Sequence, residues 1–459
     1  MKKHFIYLLV ASMTLAGTST LFTSCGDDDP TPEAPSTPDD PGNTPTPSNP
    51  EGNKKLNSVE QKQKLESIAK AFMGEVKANN FTQLTDLANY CYDHYIDNDD
   101  FDNDVVTTWF NDALNASSSL VKSNITTEKG SWYTSVYNYK YYNRVILLAN
   151  FTGKFTAQKQ SWKKEKADNL QFNFTDQDGK ACNITVTSLG NTKKAHITDT
   201  EDWDSDYDDA NNIYNQYIDE YKEYLMVPEQ IVITLTQGGV KQVETIVNID
   251  HSAFTGPEVD LSKDGLVTNA TVKIANFTWC VQRAEYSAKN HKASVSGYMK
   301  KGDTTLFTFA ADANGVDATN ESLNNAGAAS VNFDLLGQMQ IKGTCSNVKA
   351  YSDLINKADD NDTNETLFKS YINQANELLD VNVFYDKGSV RQANMKLMAF
   401  EEKNPWNSAY NYWYAEPVIN FDDGTSYSTF NAYFNESDFR SVIDLFNSLI
   451  EGYENLFDK

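Results

Sequence analysis

The stretch Leu170-Gln171-Phe172-Asn173-Phe174, with the turn Asp176-Gln177-Asp178-Gly179 and the return Cys182-Asn183-Ile184-Thr185-Val186, decides how the chain is read. Apolar and polar residues alternate on both arms, and an Asp-Gly pair lies between them. That is the pattern of a β-hairpin with one face buried. Upstream, from Ser131, the same character holds: Tyr133, Val136, Tyr137, Tyr139, Tyr141 and Tyr142 lead into Val145-Ile146-Leu147-Leu148. Downstream, Ile231-Val232-Ile233 and Val243 to Ile249 read as a second hairpin around Gly238-Gly239. Between the hairpins, Asp202 to Asp209 reads as an acidic loop. Ile213, Tyr214, Tyr217, Ile218, Tyr221 and Leu225 recur at three- and four-residue spacing, which predicts a helix ended by Pro228.

Short motifs of this region recur later in the same order. Ala149-Asn150-Phe151-Thr152 returns as Ala275-Asn276-Phe277-Thr278, and Lys166-Ala167 as Lys292-Ala293. Gly179 answers to Gly302, Tyr217-Ile218 to Tyr371-Ile372, and Gly238-Gly239-Val240-Lys241-Gln242 to Gly388-Ser389-Val390-Arg391-Gln392. The shared order predicts an internal duplication. The expected fold class is therefore α+β: two similar units, each a curved antiparallel sheet with packed helices, preceded by an N-terminal helical hairpin. Ser58 with Gln61 reads as a capping box, followed by the stripe Leu65, Ile68, Ala69, Phe72, Met73 and Val76. Leu84, Leu87, Ala88, Cys91, Tyr92 and Tyr95 form the second stripe. A last helix is expected over residues 439–453, with Phe439, Val442, Ile443, Phe446, Leu449, Ile450 and Tyr453 on one side.

The beginning of the chain reads as an address. Lys2 and Lys3 precede an apolar run from Phe5 to Ala16, too short to span a bilayer. Leu21-Phe22-Thr23-Ser24-Cys25 and the acidic Gly26-Asp27-Asp28-Asp29 follow. This segment resembles the signal peptide, lipid-modified cysteine and surface-export signal of Bacteroidetes surface lipoproteins. The resemblance implies a signal peptide over 1–24, a lipid anchor at Cys25, and an export signal at Gly26, Asp27, Asp28 and Asp29. It also implies a place on the outward face of the cell outer membrane. Phe22 departs from the leucine usual three places before the cysteine. Two or more acyl chains supply the hydrophobicity that stable anchoring needs.

Residues 25–54 read as a lipidated tether. Eight of the chain's twelve prolines fall here, among Thr, Ser, Asp and Gly, and no side chain can build a core. The remainder divides into an expected helical hairpin with a first α+β unit over 55–260, and a second α+β unit with its C-terminal helix over 261–459. Removing residues 1–24 removes Lys2 and Lys3 and no acid, so the charge moves from −25 to −27. So acidic a surface excludes nucleic acid as a partner.

The sequence carries no HExxH, GxSxG, P-loop or GxGxxG pattern. The expectation is a binding protein and not an enzyme. Cys91 and His94 share a helix face without further ligands. The acidic runs at Asp100-Asp102-Asp104, Asp202 to Asp208 and Asp360-Asp362-Asn364 lack the glycine and glutamate of a calcium loop. No cofactor is expected, and calcium is the less favoured reading of these runs. Pairing of Cys91, Cys182, Cys280 and Cys345 is not legible from spacing. Aromatic side chains are the remaining candidates: the cluster Trp406, Tyr410, Tyr412, Trp413 and Tyr414, and the run Trp132 to Tyr142. Such residues grip sugar rings or apolar ligands. The expected role is recognition of an extracellular glycan or peptide through them. Alternatives are a carrier of an apolar ligand held between sheet and helix, and a structural or adhesive surface component.

Overall fold

The computed structural model describes residues 54–317, 325, 327–403, 411–421, 427–429, 444, 445 and 448. Cys25, Gly26, Asp27, Asp28 and Asp29, the tether up to Asn53, Trp406 and Tyr410 lie outside these residues, as does most of the expected helix over 439–453. The chain divides into two units. One is Leu87–Asp264; the other joins the described residues up to Asp86 to those from Gly265 onward.

Among the described residues the continuous α-helices are, in chain order, α1 (Ser58–Glu75), α2 (Thr82–Cys91), α3 (Asp104–Ala116), α4 (Val348–Asp359) and α5 (Glu365–Glu377). The capping box of α1 sits one residue earlier than expected: Asn57 Oδ1 accepts from Glu60 N, and Glu60 Oε2 accepts from Asn57 N, both at 2.9 Å. Gln61 is instead buried, donating to Leu56 O and Gln392 O. Helix α2 runs on into a wider π-type turn, Tyr92–Ile96.

Strand dominates the rest. The first unit contains β1 (Ser118–Lys129), β2 (Thr134–Leu147), β3 (Gly153–Ala157), β4 (Trp162–Glu165), β5 (Leu170–Thr175), β6 (Ala181–Asp208), β7 (Ile213–Gln237), β8 (Val240–Ile249) and β9 (Glu258–Val259). Strand β7 is the spine. Antiparallel β6 follows one of its edges from Gln237 to Ile213. Along the other edge, parallel β2 pairs with Ile213–Met226 and antiparallel β8 with Gln230–Gln237. Strand β5 extends the sheet beyond β6, then β3 and β4 follow, while β1 pairs with β2. Tyr95, on the π-type turn, donates from Oη to Thr175 O at 3.0 Å and packs on Phe174. Trp109 of α3 meets the fully buried Phe155 edge-on at 4.9 Å.

The expected helix over 213–225 is a strand, and the expected acidic loop is the end of its partner. The spacing of these residues fits a helical stripe, but Tyr and Ile are residue types that favour strands. Fourteen continuous register positions with β2, Thr134↔Ile213 to Leu147↔Met226, settle the choice by pairing. Pro228 ends no helix. It lies inside β7 between the segments that pair with β2 and with β8, and on the β6 side it is the register partner of Thr192. Opposite it β6 shifts register between Leu189 and Thr192. Gly190 there has φ +82°, and a Cβ would fall within 3 Å of Glu229 side-chain atoms.

The second unit is a meander in which each strand pairs antiparallel with the next. Its strands are β10 (Gly265–Ile274), β11 (Phe277–Ser287), β12 (Lys292–Lys301), β13 (Thr304–Asn314), β14 (Ala329–Leu335), β15 (Met339–Cys345), β16 (Leu379–Tyr385), β17 (Ala393–Lys403), β18 (Asn411–Asn420) and β19 (Tyr427–Thr429). Helix α1 buries Ile68 and Met73 against Val383, Tyr385, Ala393 and Ile419. Helix α5 buries Phe368 and Ile372, against which Leu397, Ala399, Trp413 and Ala415 pack.

The reading as duplicated α+β units with packed helices is therefore corrected: sheet prevails and helices are few. The matched motifs occupy unlike structures. Tyr217-Ile218 is in a strand, whereas Tyr371-Ile372 is in a helix. Gly238-Gly239 makes a tight turn with φ of +59° and +81°, whereas in the loop of Gly388 the left-handed positions are Asp386 and Lys387. Turn dipeptides and Tyr-Ile pairs recur because this composition is rich in them, and order alone did not make them equivalent. Sequence periodicity also missed α3 and β1.

The turn Asp176–Gly179 joins β5 to β6. Asp176 is 4% exposed; its Oδ1 accepts from Asp178 N at 2.9 Å and Lys180 N at 2.8 Å, and its Oδ2 from Gln237 Nε2 at 2.5 Å. Burial pushes the carboxyl pKa up, and these hydrogen bonds outweigh it, so the net shift is downward. The ionised carboxylate thus stabilises the fold fully above the unfolded value of about 4. That contribution is lost as pH falls through the lower folded value. Asp176→Asn is expected to cost about 1–3 kcal/mol near neutral pH, because an amide N–H would face the Gln237 donor. The cost should shrink on acidification; urea denaturation at pH 7 and below pH 4 measures both.

Candidate functional site

The distal halves of β6 and β7 form, with β2 and β1, a four-stranded ribbon in the order β1-β2-β7-β6. Side chains alternate between its faces, so Tyr137-Asn138-Tyr139-Lys140-Tyr141 sends three tyrosines to one side. Their rings run nearly parallel, with centroids 6.3 Å and 6.2 Å apart and interplanar angles of 18° and 17°. Register fills the rest of this face. One row reads Asn124, Tyr139, Ile218, Trp203; the next reads Lys122, Tyr141, Glu220, Glu201; the row beyond the ladder pairs Tyr214 with Tyr207. Ile218 is fully buried, while Trp203 is 57% and Tyr207 49% exposed. Trp203 Nε1 donates to Glu201 Oε2 at 3.0 Å, which fixes the indole beside the carboxylate.

At the Tyr141 end the ribbon carries a cleft of about 530 Å³ lined by Tyr141, Tyr142, Tyr221, Asn143, Glu201 and Glu220, among others. Tyr142 and Tyr221 stack at 4.9 Å, and Arg144 Cζ lies 4.0 Å over the Tyr221 ring. Lys122 Nζ lies 4.2 Å from the centroid of Tyr141. Burial, then the Glu220 carboxylate, raises the pKa of the Tyr141 hydroxyl, so it remains a neutral donor and acceptor at physiological pH. The arrangement combines flat aromatic surface with carboxylate, amide and hydroxyl groups that can bond ligand hydroxyls. On the other face, Asp202, Asp204, Asp206 and Asp208 form a row along β6, beside Tyr217 and Asp219 of β7.

The C-terminal aromatic cluster is distributed differently. Alternation along β18 sends Trp413 towards α5, where Lys369 Nζ lies 4.1 Å over its ring, and Tyr412 and Tyr414 to the opposite face, 39% and 40% exposed. Trp413 also lines a cavity of about 820 Å³ with Tyr351, Ile355, Leu397, Asp359 and Asp362. The ribbon is legible in the sequence only in part: the Trp132–Tyr142 run marks β2, whereas Trp203 and Tyr207, expected in an acidic loop, lie in β6. Their alternation with Asp202, Asp204 and Asp206 was the available strand signal.

The acidic runs take unlike forms. Asp202 to Asp208 is strand, Asp102 Oδ1 accepts from Asp104 N at the start of α3, and Asn364 caps α5. Among the described residues no three His, Cys, Asp or Glu side chains come together in a metal-holding group. His94 stacks on Tyr90 at 5.2 Å. Comparison with protein-family models, with curated proteins and with solved structures finds no match to this chain.

Cys91 and Cys182 are buried free thiols near one another in the first unit. Burial, then the nearby Asp176 carboxylate, pushes the Cys182 thiol up to about 11 and burial raises Cys91 further. Iodoacetamide at pH 8 should label both at least on the order of tenfold more slowly than the half-buried Cys280, and denaturant should abolish the difference. Peptide mass spectrometry reads the order.

Proposed function

We propose that this protein is a surface-anchored binding protein that holds a neutral glycan on the tyrosine face of the ribbon. The ladder Tyr137–Tyr139–Tyr141, continued across Ile218 to Trp203, is the observation that supports this reading. Sugar rings present C–H faces that stack on aromatic rings, and their hydroxyls need acceptors of the kind Glu201, Glu220 and Asn143 offer beside the ladder. Those carboxylates, the aspartate row behind them and a chain charge of −25 oppose an anionic glycan. The role is capture, with the lipid on Cys25 and the Pro-rich tether presenting the folded part outside the cell.

Affinity electrophoresis of the purified full chain through gels containing neutral or uronate-bearing polysaccharides tests the ligand. Retardation is expected in a neutral gel only. Tyr139→Ala and Trp203→Ala should each weaken it about 2- to 10-fold, the weight of one aromatic contact, while Tyr139→Phe retains most of it. Retardation that both alanine variants keep, or peptide binding without glycan binding, would remove the proposal.

The address is tested separately. Cys25→Ser is expected to abolish palmitate labelling and to release the protein from the membrane fraction. Protease added to intact cells should digest the wild-type protein; full protection would place it on the inner face.

A further inference from the structure

A second site lies elsewhere in the first unit. Helix α3 places Val106, Trp109 and Phe110 over a sheet surface that includes Leu170, Phe172, Val186 and Ile231. An amphipathic helix ordinarily covers its apolar stripe. No residue of α3 is buried, and Phe110 is 46% exposed. Between helix and sheet remains a cavity of about 500 Å³. Packed interiors hold few voids larger than a water molecule, whereas small-molecule sites occupy this range.

The walls are apolar except for the hydroxyls of Thr107 and Ser188. Trp109 Nε1 already donates to Thr152 O at 3.1 Å, so the indole offers its ring and not its N–H. At ~30 Å³ per water-sized group, the space holds roughly 16 methylenes, one long chain.

Charge selects the head group. Residues 153–168 carry Lys154, Lys159, Lys163, Lys164 and Lys166 against Glu165 and Asp168, five against two, in a chain of net −25. Glu165 takes both Lys154 and Lys163 as partners. Lys164, an exposed residue, instead stands beside the cavity, next to its Trp109 wall. Its Cε lies 3.5 Å from where a Cβ on Gly153 would stand, so the glycine makes room for its stem. Gly153 is the register partner of the cavity residue Leu170, and Lys164 Nζ lies 5.8 Å from the ring centroid of the cavity residue Trp109.

We propose that the cavity beneath α3 binds a free fatty acid, its chain between α3 and the sheet and its carboxylate at Lys164. This stands apart from the glycan reading, which uses the opposite end of β6 and β7.

The test is titration of the purified full chain with cis-parinaric acid, read as energy transfer from tryptophan. Saturation at one probe per chain and displacement by palmitic acid are expected. Lys164→Glu, a surface change that spares the core, should weaken the probe about tenfold, the loss of one charge-assisted hydrogen bond, and leave displacement by hexadecanol unaltered. Ser188→Phe should fill the cavity and abolish binding while the thermal transition is retained. Absence of saturation would overturn the proposal. So would wild-type affinity in both variants, or binding confined to phosphatidylglycerol vesicles with none to the free acid.

Discussion

The pairing of β6 with β7 is the constraint on which the first unit depends. A hairpin of this length cannot have both faces covered by a small set of helices. Its proximal half is covered: α3 and the residues around Tyr95 pack over the sheet that β6 continues into β5 and β3. Its distal half forms a ribbon with β2 and β1, which satisfy the backbone of one edge. Aromatic side chains there stand beside one another, and Ile218 in the row between Tyr139 and Trp203 is fully buried.

Pro228 and Gly190 show how one strand serves both halves. Around Pro228 the spine changes partner along one edge from parallel β2 to antiparallel β8, while β6 stays paired along the other. Gly190 permits the facing irregularity of β6, because a side chain there would collide with Glu229. Each substitution-sensitive position follows from ladder geometry and not from the ligand-facing surface.

The two candidate sites use different consequences of this arrangement. The ribbon supplies aromatic rows because period-two alternation puts every second tyrosine of β2 on one face. The cavity exists because α3 stands off the sheet. In the second unit the meander is covered more closely: α1 buries Ile68 and Met73, and α5 buries Phe368 and Ile372. There the aromatic pair Tyr412 and Tyr414 is separated from Trp413 by the same alternation that gathers the tyrosines of β2.

Local chemistry by itself determined the β5–β6 hairpin, whose alternation and Asp176–Gly179 turn are self-sufficient, and the stripes of α1, α2 and α5. It also determined the chain's charge and the proline-rich character of the stretch before Lys54. Only tertiary structure decided residues 202–225, since the three- and four-residue spacing of Ile213 to Leu225 favours a helix while its Tyr and Ile residues favour a strand. The deciding free energy lies in the ladder with β2, whose register partners are 79 residues away in sequence, and no local window contains it. The same holds for the row that joins Tyr139, Ile218 and Trp203. Three residues from three strands become neighbours through register, a property of pairing that composition and periodicity do not encode.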